Sequence, residues 1–274
     1  MIKCRFEKLN FKLYNECDDH QVDFYFYNKP FHESKVLTVM SAFAGRSKTI
    51  LDIGANTGIH SVIVSKLNPN TKIYAIEPYK TNYTRLEKNL KLNNCSNVEI
   101  KRVALGEQKG ELTFFIPSDN SITDVSSAVE NHGTRIYENQ IVWKKSVVEQ
   151  LTFDELSKEV GRIDFFKCDV ESFEMNVFKG ATNFFENNRP SFILEITLNE
   201  EKVRYFNDFA KKYNYNIYYL NEDGLLKLDE LYVFDRWPNF IFTQYNSQYN
   251  FVPLKDIDLF VEKAFAQKRE QLVG

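Results

Sequence analysis

Long apolar runs are missing from this 274-residue chain. A helix needs about 20 predominantly apolar residues to cross a bilayer, and no stretch approaches that length. The N-terminal stretch MIKCRFEKLNFKLYNECDD also lacks the apolar core of a secretion signal. Both absences lead to the expectation of a cytoplasmic protein with no membrane span. Cysteine is scarce, and Cys4, Cys17, Cys95 and Cys168 show no C-x-x-C spacing. That favours free thiols over disulfides or zinc. Clustered positive charge is absent as well: 35 Lys and Arg are scattered among 38 Asp and Glu, for a net charge of −3. Nucleic-acid binding relies on basic patches that neutralise phosphates, so no nucleic-acid partner is expected. There is no internal repeat and no low-complexity segment.

What the chain has in abundance is aromatic, with 24 Phe and 15 Tyr. Bulky core filling is the first use for such residues, and stacking on a sugar or base is the second. Residues 1–45 read as an N-terminal extension. There FKLYN and VDFYFYN bracket the polar turn ECDDHQ as a hairpin, and a helix follows over 33–44. Residues 46–247 alternate strands with helices. KTILDIGA, TKIYAIEP, VEIKRVAL, RIDFFKCDV, SFILEIT, YNIYYLN and NFIFTQ read as strands, and ELTFFIP as an added hairpin arm. One helix is expected over FEMNVFKGATNFFENN and another over EEKVRYFNDFAKKYN. Such alternation predicts an α/β fold with a mainly parallel sheet covered on both faces. The polar insertion 117–147 is too long for an ordinary connection, and reads as a lid or a plain insertion. Residues 248–274 form an amphipathic helix with Ile257, Phe260, Val261 and Phe265 on one side. That side packs on its own domain, or serves a homo-oligomer contact.

The stretch ILDIGANTGIHS places an apolar strand, an acid and a G-x-x-x-G turn directly before a helix. Gly54 and Gly58 permit a tight turn and close backbone approach, and Asn56 between them tolerates left-handed angles. Glu77, at the end of the next strand and 25 residues after Asp52, can accept both hydroxyls of a ribose. A dinucleotide such as NAD calls for G-x-G-x-x-G, with its pyrophosphate against the glycines. The spacing here differs, and Asp52 would repel a pyrophosphate while suiting an ammonium or sulfonium charge. S-adenosylmethionine is therefore the expected cofactor.

Taken together, LDIGANTGIHS, AIEPYKTNYTRLEKNLKLNN, VALGEQKGELTFF, LTFDEL, IDFFKCDVESFEMNVFKGA and RPSFILEI occur in order over residues 48–197. As a set they resemble the FkbM-type methyltransferases, a class I S-adenosylmethionine-dependent family. The resemblance implies a Rossmann-like class I methyltransferase fold, a seven-stranded mostly parallel sheet with helices on both faces. It implies O-methylation of a sugar, glycan or polyhydroxylated metabolite, with S-adenosylhomocysteine as product. By the same analogy Asp52, Gly54, Asn56 and Gly58 line the methionine side, Glu77 holds the ribose, and Val103 and Ala104 flank the adenine. Family members usually carry glycine where this chain has Ser172.

Ligands of an open α/β sheet sit beyond the carboxyl ends of its strands. Asp169 and Glu171 end one strand and Glu195 ends the next, so all three are expected at that edge. Methyl transfer to an alcohol needs the oxygen aligned behind the methyl group and its proton removed. Asp169 is the first candidate for base, Glu171 and Glu195 the second, and His132 on the long insertion the third. The alternative for Asp169 is capping the following helix, and Glu174 reads as a first-turn acid favoured by the helix dipole. His60 is a further candidate at the methionine moiety, with a structural role as its alternative. The acids are compatible with Mg²⁺ bound across a diol, but nothing in the sequence requires a metal. Two other readings stand beside the methyltransferase: an NAD(P)-dependent oxidoreductase and a non-catalytic cofactor-binding protein.

Overall fold

The computed structural model describes residues 2–6, 8–14, 34–118, 143–233 and 238–273. Strands β1 (Ile2–Phe6) and β2 (Leu9–Leu13) pair as an antiparallel hairpin, and helix α1 (Ser34–Ala44) follows. The alternating core then begins with β3 (Thr49–Ile53), α2 (Ile59–Leu67), β4 (Lys72–Ile76), α3 (Lys80–Leu92) and β5 (Val98–Lys101). Next come β6 (Ala104–Gly106), β7 (Gly110–Pro117), β8 (Trp143–Thr152) and α4 (Phe153–Val160). After them run β9 (Phe165–Cys168), α5 (Glu174–Lys179), α6 (Thr182–Asn187), β10 (Ser191–Glu195) and α7 (Glu200–Tyr213). The chain closes with β11 (Asn216–Leu220), β12 (Gly224–Leu228), β13 (Asn239–Thr243), β14 (Phe251–Pro253) and α8 (Ile257–Val273).

The main sheet has the order β14-β12-β11-β13-β10-β9-β3-β4-β5. From β5 to β10 every pairing is parallel, and β13 enters antiparallel between β10 and β11. These seven strands are the expected frame. The short strands β12 and β14 extend it, so the sheet counts nine among the described residues. Side chains alternate across the sheet with a period of two, which gives each face its own core. Ile50, Ala75, Phe165, Ile193 and Ile241 pack under α1, α2 and α8. Leu51, Phe166, Phe192, Leu194 and Phe242 pack under α4 to α7. On this second face Phe166, Phe192 and Phe242 lie in register and stack, with ring centroids 4.8 Å apart at each step. Many of the aromatics therefore fill the core.

Several elements differ from expectation, each for a local reason. FKLYN does supply a strand, but β2 pairs with Ile2–Phe6; the second arm expected over 22–28 lies outside the described residues. VEIKRVAL divides into β5 and β6, because Ala104–Gly106 leaves the main sheet to pair with β8 in a second sheet of order β6-β8-β7. The helix expected over 173–188 divides into α5 and α6 around Gly180 and Ala181. There the backbone passes so close to β6 that a Cβ on Gly180 would stand 2.0 Å from the Gly106 carbonyl oxygen. Helix α8 lays Ile257, Phe260 and Val261 into the first core, with Phe265 against Phe43, so its apolar side is used within the chain. Cys4, Cys95 and Cys168 are buried thiols outside any disulfide, and Cys17 lies outside the described residues. Among the described residues no helix is long and apolar enough to cross a membrane.

Candidate functional site

The loop leaving β3 is shaped by backbone angles as the glycine spacing implied. Gly54, Asn56 and Gly58 all take positive φ, at 80°, 52° and 86°. At both glycines a neighbouring element also leaves no room for a Cβ. A Cβ on Gly54 would stand 1.7 Å from the Asp169 carbonyl oxygen, so the residue lets the β3 and β9 loops meet. A Cβ on Gly58 would stand 2.2 Å from Leu86, so that glycine seats α2 against α3. The Gly54 and Ala55 N–H groups both donate to the Ile76 carbonyl at 3.0 Å, tying the loop to the end of β4.

Glu77 follows β4 and is buried. One carboxylate oxygen accepts the Asn56 N–H at 2.9 Å, and the other accepts the Tyr79 N–H at 2.8 Å. Burial pushes its pKa up to about 7, against the pull of those two N–H groups; nearby Asp52 and Asp169 raise it further.

Beyond β9, Asp169 accepts a hydrogen bond from Lys167 Nζ at 2.7 Å. The Lys167 side chain is 1% exposed, although it carries a charge in the middle of an otherwise apolar strand. Two consecutive residues of the next turn, Glu171 and Ser172, take left-handed angles with φ of 52° and 75°. Glu174 braces this turn: Oε1 accepts the Ser172 N–H at 2.9 Å and the Val170 N–H at 3.3 Å, while Lys202 Nζ lies 3.4 Å from Oε2. Burial raises its pKa. Glu174 is the first-turn acid of α5, as expected, and it is also enclosed and holds the loop that carries Asp169. At the end of β10, Glu195 accepts from the Asn239 amide at 3.0 Å.

These loops surround one cavity at the carboxyl edge of the parallel strands, about 950 Å³ of non-protein space partly open to solvent. The cavity brings together Gly54, Asn56, His60, Glu77, Val103, Ala104, Asp169, Glu171 and Glu195 in its lining. Two expected residues do not border it. Asp52 is fully buried, with one oxygen accepting from Ser61 Oγ at 2.6 Å and Oδ1 lacking a hydrogen-bond partner. Gly58 is turned to Leu86. His132 lies outside the described residues. Sequence reasoning missed Lys167, Asn82, Phe173, and Leu112 and Phe114 of β7, which also border the cavity. The signal for Lys167 was present, as a lone charge within FFKC. No pattern marks β7, whose place depends on the second sheet. Among the described residues, no group of three or more His, Cys, Asp or Glu side chains is arranged to hold a metal ion.

A doubly wound α/β sheet with a cavity at its carboxyl edge, with acids following β4 and β9 and ending β10, has the layout of a nucleotide-cofactor class of protein. The model of the methyltransferase FkbM domain matches residues 52–224, and the chain belongs to that family. Among curated proteins it is similar to methyltransferase sdnD of Sordaria araneosa, 29% identical over 154 residues that cover 48% of this chain and 60% of that one. It is also similar to the hexuronic acid methyltransferase AglP of Haloferax volcanii, 26% identical over 153 residues that cover 55% of this chain and 57% of that one. The chain thus spans about three-fifths of the length of these relatives. A solved methyltransferase FkbM from Methylobacillus flagellatus superposes with a TM-score of 0.47 at 16% identity, covering 72% of this chain and 43% of that one.

Proposed function

We propose that the protein is an S-adenosylmethionine-dependent O-methyltransferase acting on a hydroxyl of a sugar, glycan or other polyhydroxylated molecule. The observation that carries this reading is the convergence of two sets of acids on one cavity. Glu77 stands at the β4 end, and Asp169, Glu171 and Glu195 stand at the β9 and β10 ends. The donor set fits the cofactor. Glu77 presents a fixed carboxylate for the ribose hydroxyls, Val103 and Ala104 provide an apolar wall for adenine, and the turn at 54–56 borders the methionine end. The relative named for hexuronic acid supports the carbohydrate class.

When bound, S-adenosylmethionine supplies an electrophilic methyl group and leaves as S-adenosylhomocysteine. The chain's own residues orient the acceptor and take its proton. Lys167 holds Oδ2 of Asp169, which leaves Oδ1 to accept the proton of the acceptor hydroxyl. Such general-base help is worth typically ~10²–10⁴ in rate. Glu171 and Glu195 accept hydrogen bonds from neighbouring hydroxyls and so set the acceptor's orientation.

The test has two parts. S-adenosylhomocysteine should raise the melting temperature and NAD should not; the reverse result removes the methyltransferase reading in favour of an oxidoreductase. Asp169→Asn should retain S-adenosylhomocysteine binding while methyl transfer from labelled cofactor to a sugar panel falls at least ~100-fold. Full turnover in that variant removes Asp169 as the base.

A further inference from the structure

The turn after β9 joins a strained backbone to a phenylalanine that neither core takes up. Glu171 and Ser172 stand in sequence at φ 52° and 75°, angles disfavoured for residues with a Cβ. Backbone held at such angles concentrates at functional sites, where the surrounding structure fixes it. Here Glu174 fixes it, accepting the Val170 and Ser172 N–H groups from a buried position. The next residue, Phe173, is the N-cap of α5 and makes no side-chain capping bond there. A helix start favours Ser, Thr, Asp or Asn, so phenylalanine adds nothing to the helix. Nor does it fill a core. Phe166, Phe178 and Phe185 pack ring on ring, whereas half-buried Phe173 belongs to none of the three apolar clusters of the described residues. It borders the cavity instead, together with Asp169 and Glu171 of its own turn. Its Cε1 lies against β6, where a Cβ on Gly106 would stand 3.2 Å away, so that glycine gives the ring its seat.

We infer that Phe173 is the stacking platform for the methyl acceptor, and that the acceptor is a sugar in ring form that lays its C–H face on the phenyl ring. This rests on the methyltransferase reading above. A pyranose has two characters: its hydroxyls project from the rim, while its axial C–H groups make an apolar face. An aromatic ring beside carboxylates matches both, since the ring covers the C–H face and the carboxylates accept the hydroxyl protons. An open-chain polyol has no such face and must also freeze several C–C rotations on binding. One clamped turn thus both seats the sugar and holds Asp169, the group that takes its proton.

The experiment uses the full chain with labelled S-adenosylmethionine and two acceptor sets. One holds the methyl glycosides of glucose, galactose and mannose, the other the open-chain glucitol, galactitol and mannitol, with methylated product read by mass. At least one glycoside should be methylated, with kcat/KM at least ~10-fold above its alditol partner. This comparison uses the unmodified protein and stands even where a variant fails to fold. Phe173→Leu keeps the apolar bulk and removes the flat face, so KM for the glycoside should rise ~5–10-fold while affinity for S-adenosylhomocysteine stays within about twofold. Phe173→Tyr keeps the face and should hold KM within about threefold. Alditols used as well as glycosides overturn the inference, as does an unchanged KM in Phe173→Leu or an equal rise in both variants. Loss of S-adenosylhomocysteine affinity in step with KM assigns the ring to the cofactor and overturns it too. So does the absence of methylation of any glycoside by protein that still binds S-adenosylhomocysteine. Failure of the unmodified protein to bind S-adenosylhomocysteine at all overturns the methyltransferase reading instead.

Discussion

Glu77 sits where two demands conflict. Its carboxylate serves the backbone N–H groups of Asn56 and Tyr79, yet burial favours its neutral form, and the balance places the pKa at about 7 against an ordinary 4.5. The consequence for stability has a definite sign. Between about 4.5 and 7 the folded chain holds a proton that the unfolded chain has released, so this group's contribution falls as pH rises through that window. Cofactor binding runs the other way, since a ribose diol donates best to the ionised carboxylate. Affinity for S-adenosylhomocysteine, measured by calorimetry, should rise about tenfold from pH 6 to pH 8, as the ionised fraction goes from roughly a tenth to nine-tenths. Glu77→Ala should bind more weakly and lose that dependence. Ser172 is a second conflict, a side chain held at φ 75° in the turn beside Asp169. Left-handed angles cost a non-glycine residue about 1–2 kcal/mol, and glycine recovers part of that after its own entropy cost. Ser172→Gly should therefore raise stability by roughly 0.5–1 kcal/mol in denaturant unfolding.

Among the elements, the loops after β3 and β9 act as a unit, because the Gly54 Cα packs on the Asp169 carbonyl and Glu174 ties the turn that follows. Gly54→Ala puts a methyl 1.7 Å from that oxygen and should cost more than ~3 kcal/mol while displacing Asp169. Gly161 gives the contrast, since it has a positive φ of 75° but no atom within 4 Å of an added Cβ. There alanine should cost only about 1–2 kcal/mol and leave cofactor binding intact. Paired melting curves with and without S-adenosylhomocysteine check both; equal losses would mean that the strained angle alone, and not the loop contact, sets the cost.

At the scale of the molecule, two cores of unequal character clamp the sheet. One is mainly aliphatic under α1, α2 and α8, and the other is packed with phenylalanine under α4 to α7. Phe192 is the centre of the second, fully buried and stacked between Phe166 and Phe242. Phe192→Ala should destabilise by about 3–5 kcal/mol, read as a lower denaturant midpoint. A loss under 1 kcal/mol would show that the stack is not central to the core. Folding also gathers what the sequence scatters. Lys3 and Lys12 lie directly opposite in the β1–β2 hairpin, and with Arg5 and Lys66 they border one surface groove.

The order of strands and helices, the turn at Gly54 to Gly58, the acids at strand ends and the apolar side of α8 were legible in the sequence. Each rests on local periodicity or on angles that only certain residues tolerate. The places of Asp52, Gly58 and Lys167, and the burial of Glu174, were not legible. Whether a charge near a strand end borders the cavity or stands behind its wall depends on which sheet face it occupies and which helix covers it. Likewise the division of VEIKRVAL and the placing of Leu112 and Phe114 depend on β6 pairing with β8, a contact between segments some 45 residues apart. Local patterning determined the parallel sheet and the edge that carries chemistry. Long-range packing alone decided which acids face the cavity there and which hold its walls, because burial and partnership belong to the assembled fold.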